Sequence, residues 1–306
     1  MVEAYIKKKR FEKLVNPYID HSKKLIWLDL LDPTRDELKA LSSKLGIAYG
    51  DLIVSLDPLE RPRVEKSKNY SYVIFNAPLD KGHVYTGTLG IYVKKNYIIT
   101  IHRNELKSVT ELHENIYKTN VRDIYGFLHF ILERVINNFE AELDKIEDFI
   151  DAIETEVLKR ADKDYADAVF PLKRTLIYFR KALKYNVEVL KCLRHGELFR
   201  LRDSLFEDLY QDARQLIDEE AISRERLTEI VNTHLNAMSN ELNKVMKSFT
   251  IMATLIMLPT LITGLYGMNF QFMPELQWQY GYIFALGLML VSIMIMLLFF
   301  KKKKWL

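Results

Sequence analysis

Two long stretches near the C-terminus contain no charged residue, and they constrain the fold more than any other feature of the sequence. The first covers residues 248–274 and the second covers residues 276–300, with Glu275 alone between them. A helix of roughly 18 to 20 apolar residues crosses a hydrocarbon layer of about 30 Å, and residues 249–266 and 280–300 meet that length. A secretion signal would instead lie near the N-terminus. The sequence therefore predicts two membrane-spanning helices.

Basic residues flank these stretches on one side only. Lys244 and Lys247 precede the first span and the lysines at 301–304 follow the second, whereas the loop between the spans carries only Glu275. Segments rich in Lys and Arg remain in the cytoplasm. We therefore expect a multi-pass protein of the cell membrane, surrounded by lipid, with its N- and C-termini both in the cytoplasm.

The first hundred residues have the pattern of a mixed α/β domain. Apolar or alternating segments predict strands at 25–30 and 70–76, and a hairpin that joins 88–93 to 97–101. Between the first two strands, Asp32-Pro33-Thr34 is typical of the start of a helix. These signals predict an α/β domain within residues 1–115.

Long helices are predicted to follow, because apolar residues recur there at intervals of three and four. Between Gly196 and Pro259 the chain has neither glycine nor proline, which permits one unbroken helix from the cytoplasm into the first span. A helix of that length needs lateral partners, and a coiled arrangement supplies them. The predicted fold class is an α/β N-terminal cytoplasmic domain followed by long α-helices and two C-terminal transmembrane helices. The predicted segments are the α/β domain (1–115), the long cytoplasmic helices (116–248), the first span (249–266), an extracytoplasmic loop (267–279), the second span (280–300) and a basic cytoplasmic tail (301–306).

The composition argues against several other classes of protein. The formal net charge is only +3, so we expect no nucleic-acid partner. Cys192 is the single cysteine, which excludes a disulfide framework within the chain. The histidines lack the spacing of metal ligands, no nucleophile has an identifiable base, and no phosphate-binding loop is present. The sequence predicts neither an enzyme nor a protein with a bound cofactor.

One side of the first span lacks large aliphatic side chains. This side, which we call the seam, follows a strict heptad spacing and holds polar, small or methionine residues, and it continues upstream as a polar line. Small residues also allow membrane helices to pack closely, so the seam predicts either a packing surface or a pore wall. Two spans cannot enclose a water-filled path, so a pore would need several copies of the chain. The seam consists of Asn243, Met246, Thr250, Ala253, Met257, Thr260, Gly264 and Gly267. The polar line consists of Asp208, Gln211, Gln215, Asp218, Ile222, Glu225, Glu229, Asn232, Asn236 and Ser239.

The residues that follow the first span are specific enough to indicate a family. Tyr266-Gly267-Met268-Asn269 stands directly after the span, and Met273-Pro274-Glu275-Leu276 follows before the second span. In this position the motif resembles the signature of the CorA family of magnesium and cobalt transporters. The N-terminal part is similar to the family as well, at Trp27-Leu28-Asp29-Leu30 and Arg61-Pro62-Arg63. The resemblance implies a funnel-shaped homopentamer in which each chain gives one pore-lining helix and one peripheral span.

The resemblance also implies roles for individual residues. Gly267, Met268 and Asn269 would form the selectivity element where the ion enters. Asn243, Met246, Met257 and Thr260 match pore-lining positions of the family, and the seam adds Thr250, Ala253 and Gly264 to the predicted pore lining. Met246, Phe249 and Met257 would form a hydrophobic gate, although Phe249 stands where the family often has a smaller residue. Divalent cations would be both the transported partner and a regulator, and no other cofactor is implied. Asp208 would be a regulatory metal ligand between neighbouring subunits, with Asp57 as its less certain partner.

Two other functions remain open from the sequence. One is a zinc transporter of the same superfamily, although the methionine in the middle of the triplet favours magnesium and cobalt. The other is a membrane-anchored coiled-coil sensor without transport, although an anchor has no need of the asparagine and threonine residues on the seam. Acidic residues also crowd positions 140–151, where a solvated helix face is the simpler interpretation.

Overall fold

The computed structural model describes residues 2–8, 10–15, 24–79, 85–157, 165–195, 205–269 and 271–305. The chain divides into two compact units. One comprises Met1–Glu156 with Asp164–Ile230, and the other comprises Val157–Lys163 with Val231–Leu306.

A seven-stranded sheet forms the centre of the first unit. Its strand order is β2-β1-β3-β7-β6-β5-β4, and β3 and β7 are parallel while every other neighbouring pair is antiparallel. The central strands are buried over most of their length because helices cover the sheet. The strands are β1 (Val2–Lys7), β2 (Phe11–Lys13), β3 (Ile26–Leu31), β4 (Arg63–Lys66), β5 (Ser71–Leu79), β6 (Tyr85–Lys94) and β7 (Tyr97–His102).

The connection after β3 forms two of the helices that cover the sheet. Helix α1 (Arg35–Leu45) begins at a capping box in which Thr34 and Glu37 satisfy each other's backbone N–H groups. It ends at Gly46, which has a left-handed backbone with φ 57°. Helix α2 (Tyr49–Ile53) follows, and both helices pack against one face of the sheet. The predicted helix start and the strands predicted at 25–30, 70–76, 88–93 and 97–101 are confirmed.

Strands β1, β2 and β4 were not predicted from the sequence. Charged residues make up most of β2 and β4, and the apolar run of β1, Ala4 to Ile6, is only three residues long, so none shows the longer apolar run that marks a buried strand. β2 and β4 lie at the two edges of the sheet, where charged side chains face water and discourage pairing with other chains. The sheet therefore begins at Val2, well before the first predicted strand.

Helix α5 (Ala166–Arg194) is fixed to the sheet by one buried side chain. The amide of Asn186 donates to the backbone O of Asn76 on β5 at 2.8 Å and accepts from its backbone N–H at 3.0 Å. Because both backbone groups would otherwise be left without a partner, this pair sets the position of α5 along β5. Helices α3 (Lys107–Asn115) and α4 (Ile124–Val157) complete the helical layer of the first unit.

Helix α6 (Glu207–Tyr266) is a single helix of 60 residues, about 90 Å at 1.5 Å per residue. Within the first unit it buries one narrow stripe with alternating intervals of three and four residues. Its polar contacts reach α4 and α5: Glu220 pairs with Arg180, and Arg226 pairs with Asp151. The stripe consists of Leu209, Ala213, Leu216, Glu220, Ser223, Leu227 and Ile230.

The second unit holds the C-terminal part of α6 and helix α7 (Gly281–Lys302). Both helices are long and apolar enough to cross a membrane, and only 11% of the apolar window of each is buried. A core helix of a soluble protein would be mostly buried, so this exposure favours spans that face lipid. The predicted fold class, an α/β domain followed by long helices and two C-terminal apolar helices, is confirmed.

A buried cluster of ionisable groups joins β3, β7 and α3. Asp29 lies 3.1 Å from Nε2 of His102 and 2.8 Å from Nε2 of His113, while Nδ1 of His102 lies 2.6 Å from the backbone O of Asn104. Burial lowers the pKa of His102, but the hydrogen bond and charge of Asp29 outweigh it and the pKa is raised. Burial raises the pKa of Asp29, yet its hydrogen bonds to the two histidines hold that pKa below its ordinary value. Since both ring nitrogens of His102 face acceptors, the cation is the form that satisfies both.

This arrangement predicts a pH-dependent stability. The contribution of His102 is complete below its unfolded pKa of 6.5 and is lost as the pH rises through its raised folded pKa. The midpoint of thermal unfolding of the full-length protein, followed by circular dichroism, should therefore fall as the pH rises above about 6.5, the pKa of histidine in the unfolded chain. His102→Gln should lose about 1–3 kcal/mol at the acid end and show a flatter profile. The exposed His195→Gln is the control and should keep the wild-type profile; an unchanged slope in His102→Gln would contradict the assignment.

Candidate ion-conducting site

The seam is the exposed side of the membrane part of α6. All eight of its residues, from Asn243 to Gly267, are exposed in the single chain, whereas Ile251 and Ile262 on the other side of the helix are buried. The polar line that precedes it, from Asp208 to Ser239, is exposed over its whole length as well. One chain therefore buries Ile251 and Ile262 and leaves the whole seam uncovered, together with aliphatic residues such as Ile256 and Leu261.

Small side chains open a groove along this exposed surface. The groove has a volume of about 620 Å³ and is lined by Ala253, Met257, Thr260 and Gly264 together with neighbouring apolar residues. A methyl group built on Gly264 would meet no atom within 4 Å. The groove therefore has room for a second helix or for water.

Threonine hydroxyls on this helix are oriented by its own backbone. Thr250 donates to the carbonyl of Met246 at 2.8 Å, and Thr260 donates to the carbonyl of Ile256 at 2.8 Å. A hydroxyl that donates to the preceding turn keeps its oxygen lone pairs for an outside donor. On the seam, these oxygens are suited to accept hydrogen bonds from the water around a cation.

The helix ends in a close turn at Gly267. The N–H of Gly267 donates to the carbonyl of Thr263 at 2.9 Å, and the N–H of Met268 donates to the carbonyl of Leu265 at 3.3 Å. A Cβ atom at Gly267 would lie 3.2 Å from the oxygen of Thr263, which is closer than ordinary contact. Glycine therefore allows the tight turn that brings the exposed Asn269 directly after the end of the seam.

The loop that follows is tied to the start of α7. A short 3₁₀ turn, Pro274–Leu276, leads to Gly281, whose N–H donates to the carbonyl of Trp278 at 3.0 Å. A Cβ atom at Gly281 would lie 2.0 Å from the carbonyl oxygen of Glu275, so any other residue would push the loop away. The loop and the second span therefore pack together through backbone atoms.

The three residues predicted to form a gate all project from the helix surface. Met246, Phe249 and Met257 are between 62% and 66% exposed, so nothing in the single chain covers them. Phe249 lies beside the seam position Thr250 and not on the seam itself. Their role as a gate, like the pore-lining role of the seam, depends on neighbouring copies and stays a prediction.

The two predicted regulatory ligands lie in different elements. Asp208 is exposed in the first turn of α6, and Asp57 lies in the loop before β4, where its Oδ1 accepts from the N–H of Leu59 at 2.9 Å. Within the described residues of one chain, no three His, Cys, Asp or Glu side chains converge on a possible metal position. Since the prediction concerns neighbouring subunits, it stays a prediction.

Several acidic residues between 140 and 151 are engaged inside the chain. Glu147 accepts from Ser223 at 3.2 Å, and Asp151 pairs with Arg226. These contacts join α4 to α6, so part of the acidic cluster links helices and is not simply a solvated face. The fully buried Glu220, paired with Arg180 at 3.1 Å, was missed from the sequence. Its place within an apolar stripe of three-and-four spacing is the signal that could have found it.

Comparisons with known proteins bear on the whole chain. Residues 22–302 match the family described as CorA-like Mg2+ transporter protein. A protein of Methanocaldococcus jannaschii named cobalt/magnesium transport protein CorA is 35% identical over 304 residues, covering 95% of this chain and 96% of its own. The protein of the same name from Thermotoga maritima is 31% identical over 292 residues, covering 92% of this chain and 83% of its own.

Solved structures agree with the sequence comparison. The complete structure of the CorA magnesium transporter from Methanocaldococcus jannaschii matches this chain with a TM-score of 0.92 at 34% identity, covering 100% of this chain and 99% of the other. The full-length CmaX protein has the same fold, with a TM-score of 0.82 at 16% identity. Because the family match extends over most of the sequence and the relatives exceed 30% identity over almost all of it, the chain belongs to the CorA-like Mg2+ transporter family.

Proposed function

We propose that this chain is one subunit of a homo-oligomeric channel that carries Mg2+, and also Co2+ and Ni2+, across the cell membrane. The observation that carries the proposal is the continuous exposed seam of α6, which ends directly at Gly267-Met268-Asn269. Relatives named for cobalt and magnesium transport support the choice of ion. The proposed orientation places both termini in the cytoplasm, because lysines flank the spans on that side only.

Several copies are needed because one chain has only two helices of spanning length among its described residues. A water-filled path through lipid must be enclosed on all sides by protein. Five parallel chains, with the seams of their α6 helices facing a common axis, would enclose such a path and cover the groove beside Gly264. The heptad spacing of the seam suits a parallel, coiled arrangement of this kind.

Selection of Mg2+ would depend on its water. Mg2+ dehydrates reluctantly and keeps several waters when it binds. A ring of Asn269 amide oxygens can accept hydrogen bonds from those waters without removing them. Such a ring would select an ion by the size and geometry of its hydration shell. Carboxylates in the same place would bind more tightly and slow release, whereas conduction needs weak sites.

The membrane potential would supply the driving force. Moving one charge across 100 mV is worth about 2.3 kcal/mol, so a divalent ion gains about 4.6 kcal/mol. That free energy corresponds to about three decades of accumulation. Uptake into the cytoplasm needs no chemical energy source under this proposal.

Regulation would use the apolar residues of the pore helix and the acidic residues of the cytoplasmic region. Methionine and phenylalanine cannot hydrogen-bond to hydration water, so rings of Met246, Phe249 and Met257 would exclude a hydrated ion. Mg2+ bound between neighbouring subunits by Asp208, with Asp57 as the proposed partner, would favour the closed state by its differential affinity. High internal Mg2+ would then keep the gate shut.

The second candidate function is zinc transport. The cytoplasmic domain of ZntB from Vibrio parahaemolyticus matches with a TM-score of 0.64 at 10% identity, which shows the fold alone. Met268 favours magnesium over zinc by the resemblance given above. A membrane-anchored sensor without transport is the third candidate, and both alternatives are distinguishable by ion flux.

The first prediction from this proposal concerns assembly. Native mass spectrometry of the detergent-solubilised protein should give a closed oligomer, with five copies expected, because the seam of each chain is uncovered. Lys247→Ala, which changes an exposed residue next to the seam, should assemble as the wild type does. A stable monomer or dimer as the only species would rule out the proposed pore.

The second prediction tests selectivity. Liposomes containing the purified protein should take up Mg2+ and Co2+, and should not take up K+. Asn269→Ala should reduce Mg2+ uptake at least about tenfold because the ring of amide oxygens is lost. Gly267→Ala should also reduce it, because the new Cβ would crowd the carbonyl of Thr263. Gln271→Ala, another exposed amide in the same loop, is the matched control and should leave uptake unchanged.

Two results of that experiment would contradict the proposal. Unchanged uptake in Asn269→Ala would remove the selectivity assignment. Uptake of Zn2+ in preference to Mg2+ by the wild type would support the zinc transporter, and no uptake of any ion would support the sensor.

The third prediction concerns gating. Asp208→Ala should need several times more internal Mg2+ for the same inhibition of uptake, whereas the exposed Asp212→Ala one turn further along α6 should not. Met246→Ser should leak at high internal Mg2+, because a hydroxyl can bind the water that methionine excludes. Met252→Ser is the control, since Met252 is exposed but lies off the seam. Equal inhibition of wild type and Asp208→Ala would show that Asp208 is an ordinary surface residue.

A further inference from the structure

Four consecutive lysines, at residues 301–304, follow the second span, and we call them the lysine cluster. All four are exposed, and they begin directly after Phe300, the last residue of the apolar stretch. From residue 242 onward the only acidic residue is Glu275, which stands in the loop between the spans. The end of α7 therefore carries a concentrated positive charge with no acidic residue near it in the sequence.

No carboxylate neutralises the lysine cluster among the residues that the structure describes, since none of its four lysines takes part in an ion pair there. Before the first span, Lys244 is paired with Glu241 at 2.6 Å, whereas the exposed Lys247 has no such pair in the described part of the chain. The two spans cross one membrane in opposite directions in the proposed topology, so Lys247 and the cluster lie at the same membrane border. The roles proposed for the seam and for Gly267-Met268-Asn269 do not use these lysines.

A defined turn ends α7 at the lysine cluster. The N–H of Trp305 donates to the carbonyl of Phe300 at 3.0 Å, and the N–H of Lys304 donates to the carbonyl of Lys301 at 3.1 Å. Lys304 has the left-handed backbone, with φ 55°, that this pair of hydrogen bonds requires, although glycine is the usual residue there. The chain therefore reverses its direction after the helix.

This turn places the indole of Trp305 against the end of the span. The centres of the Trp305 and Phe300 rings are 5.7 Å apart, and the ring planes meet at an angle of 15°. Phe300 is buried, whereas Trp305 is still 40% exposed. The indole thus lies at the level of the last apolar turn, next to the lysines. Tryptophan is enriched at this depth because its ring is apolar and its N–H is polar.

We propose that the lysine cluster and Trp305 together bind the headgroups of anionic phospholipids in the leaflet on their side of the membrane. A lysine next to an anionic leaflet gains about fivefold in affinity, which is about 1 kcal/mol. Its long side chain can reach a lipid phosphate while its carbon atoms remain on the apolar surface. The loop at residues 267–280 contains no lysine or arginine, so no such preference is expected for the opposite leaflet.

The position of the lysine cluster favours lipid over an acidic protein surface as its partner. The cluster begins one residue beyond the apolar stretch, and the indole of Trp305 is folded back onto that stretch. Binding to a protein in water would need neither feature. The proposal rests on the proposed membrane crossing of α7, but it does not rest on transport or on the number of subunits. A chain that carries no ion would therefore still bind the lipid.

The test is native mass spectrometry of the full-length protein in detergent, titrated with phosphatidylglycerol or with phosphatidylcholine of the same acyl chains. Phosphatidylglycerol should bind at least about tenfold more tightly, because only its headgroup has a net negative charge. Glycerol phosphate at equal concentration should not displace it, since that soluble headgroup has no acyl chain. Equal affinity for the two lipids would overturn the proposal and point to an acidic protein surface instead. Displacement by glycerol phosphate would overturn the assignment to a lipid.

Substitutions of lysine locate the site. Changing all four lysines of the cluster to glutamine should lower the affinity for phosphatidylglycerol at least about 25-fold and leave that for phosphatidylcholine unchanged. Lys304→Gly suits the left-handed turn, so it should keep the fold and lower the affinity about fivefold. The matched control changes four exposed lysines of the first unit to glutamine and should stay within about twofold of the wild type. The control lysines are Lys39, Lys68, Lys181 and Lys184. Equal losses in the two fourfold variants would show attraction by net charge alone and would overturn the assignment.

Trp305→Ala tests the indole separately from the charge. Because the indole is uncharged, this variant should weaken the binding of both lipids by a similar factor, at least about threefold, and keep the preference for phosphatidylglycerol. Unchanged affinity for both lipids would overturn the role assigned to Trp305.

Discussion

The buried stripe of α6 is the constraint on which the rest of the structure depends. Most of the stability of a helix in a protein comes from tertiary packing, and the stripe from Leu209 to Ile230 supplies that packing along one side of α6. Because the stripe follows a heptad spacing, it fixes which side of the helix stays exposed. That exposed side carries the polar line, and the same phase continues into the membrane as the seam. Packing within the first unit thus determines which residues of this part of α6 stay uncovered.

Much of this organisation could be predicted from sequence because it is periodic or local. The two apolar helices and the heptad phase of the seam follow from spacing alone, and the helix start at Thr34 follows from its capping chemistry. The short strands β1, β2 and β4 could not be predicted, since their charged residues are tolerated only because of their neighbours in the sheet. Their existence is a property of tertiary pairing.

The candidate site residues also differ in whether the local sequence could indicate them. The triplet Gly267-Met268-Asn269 stands out in the sequence because its position between two apolar stretches is informative. The spacing of its stripe could have indicated that Glu220 is buried, but its partner Arg180 lies on α5, which is distant in the chain. The side chain of Asn186, also on α5, binds the backbone of Asn76, and nothing local in the sequence indicates that contact. The buried position of Asn186 likewise exists only after the sheet and α5 have come together. Sequence periodicity describes the surfaces of single helices, whereas enclosed polar groups arise from three elements at once.

The contact between Gly281 and the carbonyl of Glu275 has a practical consequence for anyone who attaches a reporter to this loop. The backbone atoms meet with no room for a side chain at position 281, so residues 275–281 form a closely packed turn before α7. Residues 271–274 lie outside this turn, and the side chain of Phe272 is 94% exposed. A fluorophore or epitope is therefore best placed at Phe272. A label attached at position 281 would instead force this turn open, because the new Cβ atom would lie 2.0 Å from the carbonyl oxygen of Glu275.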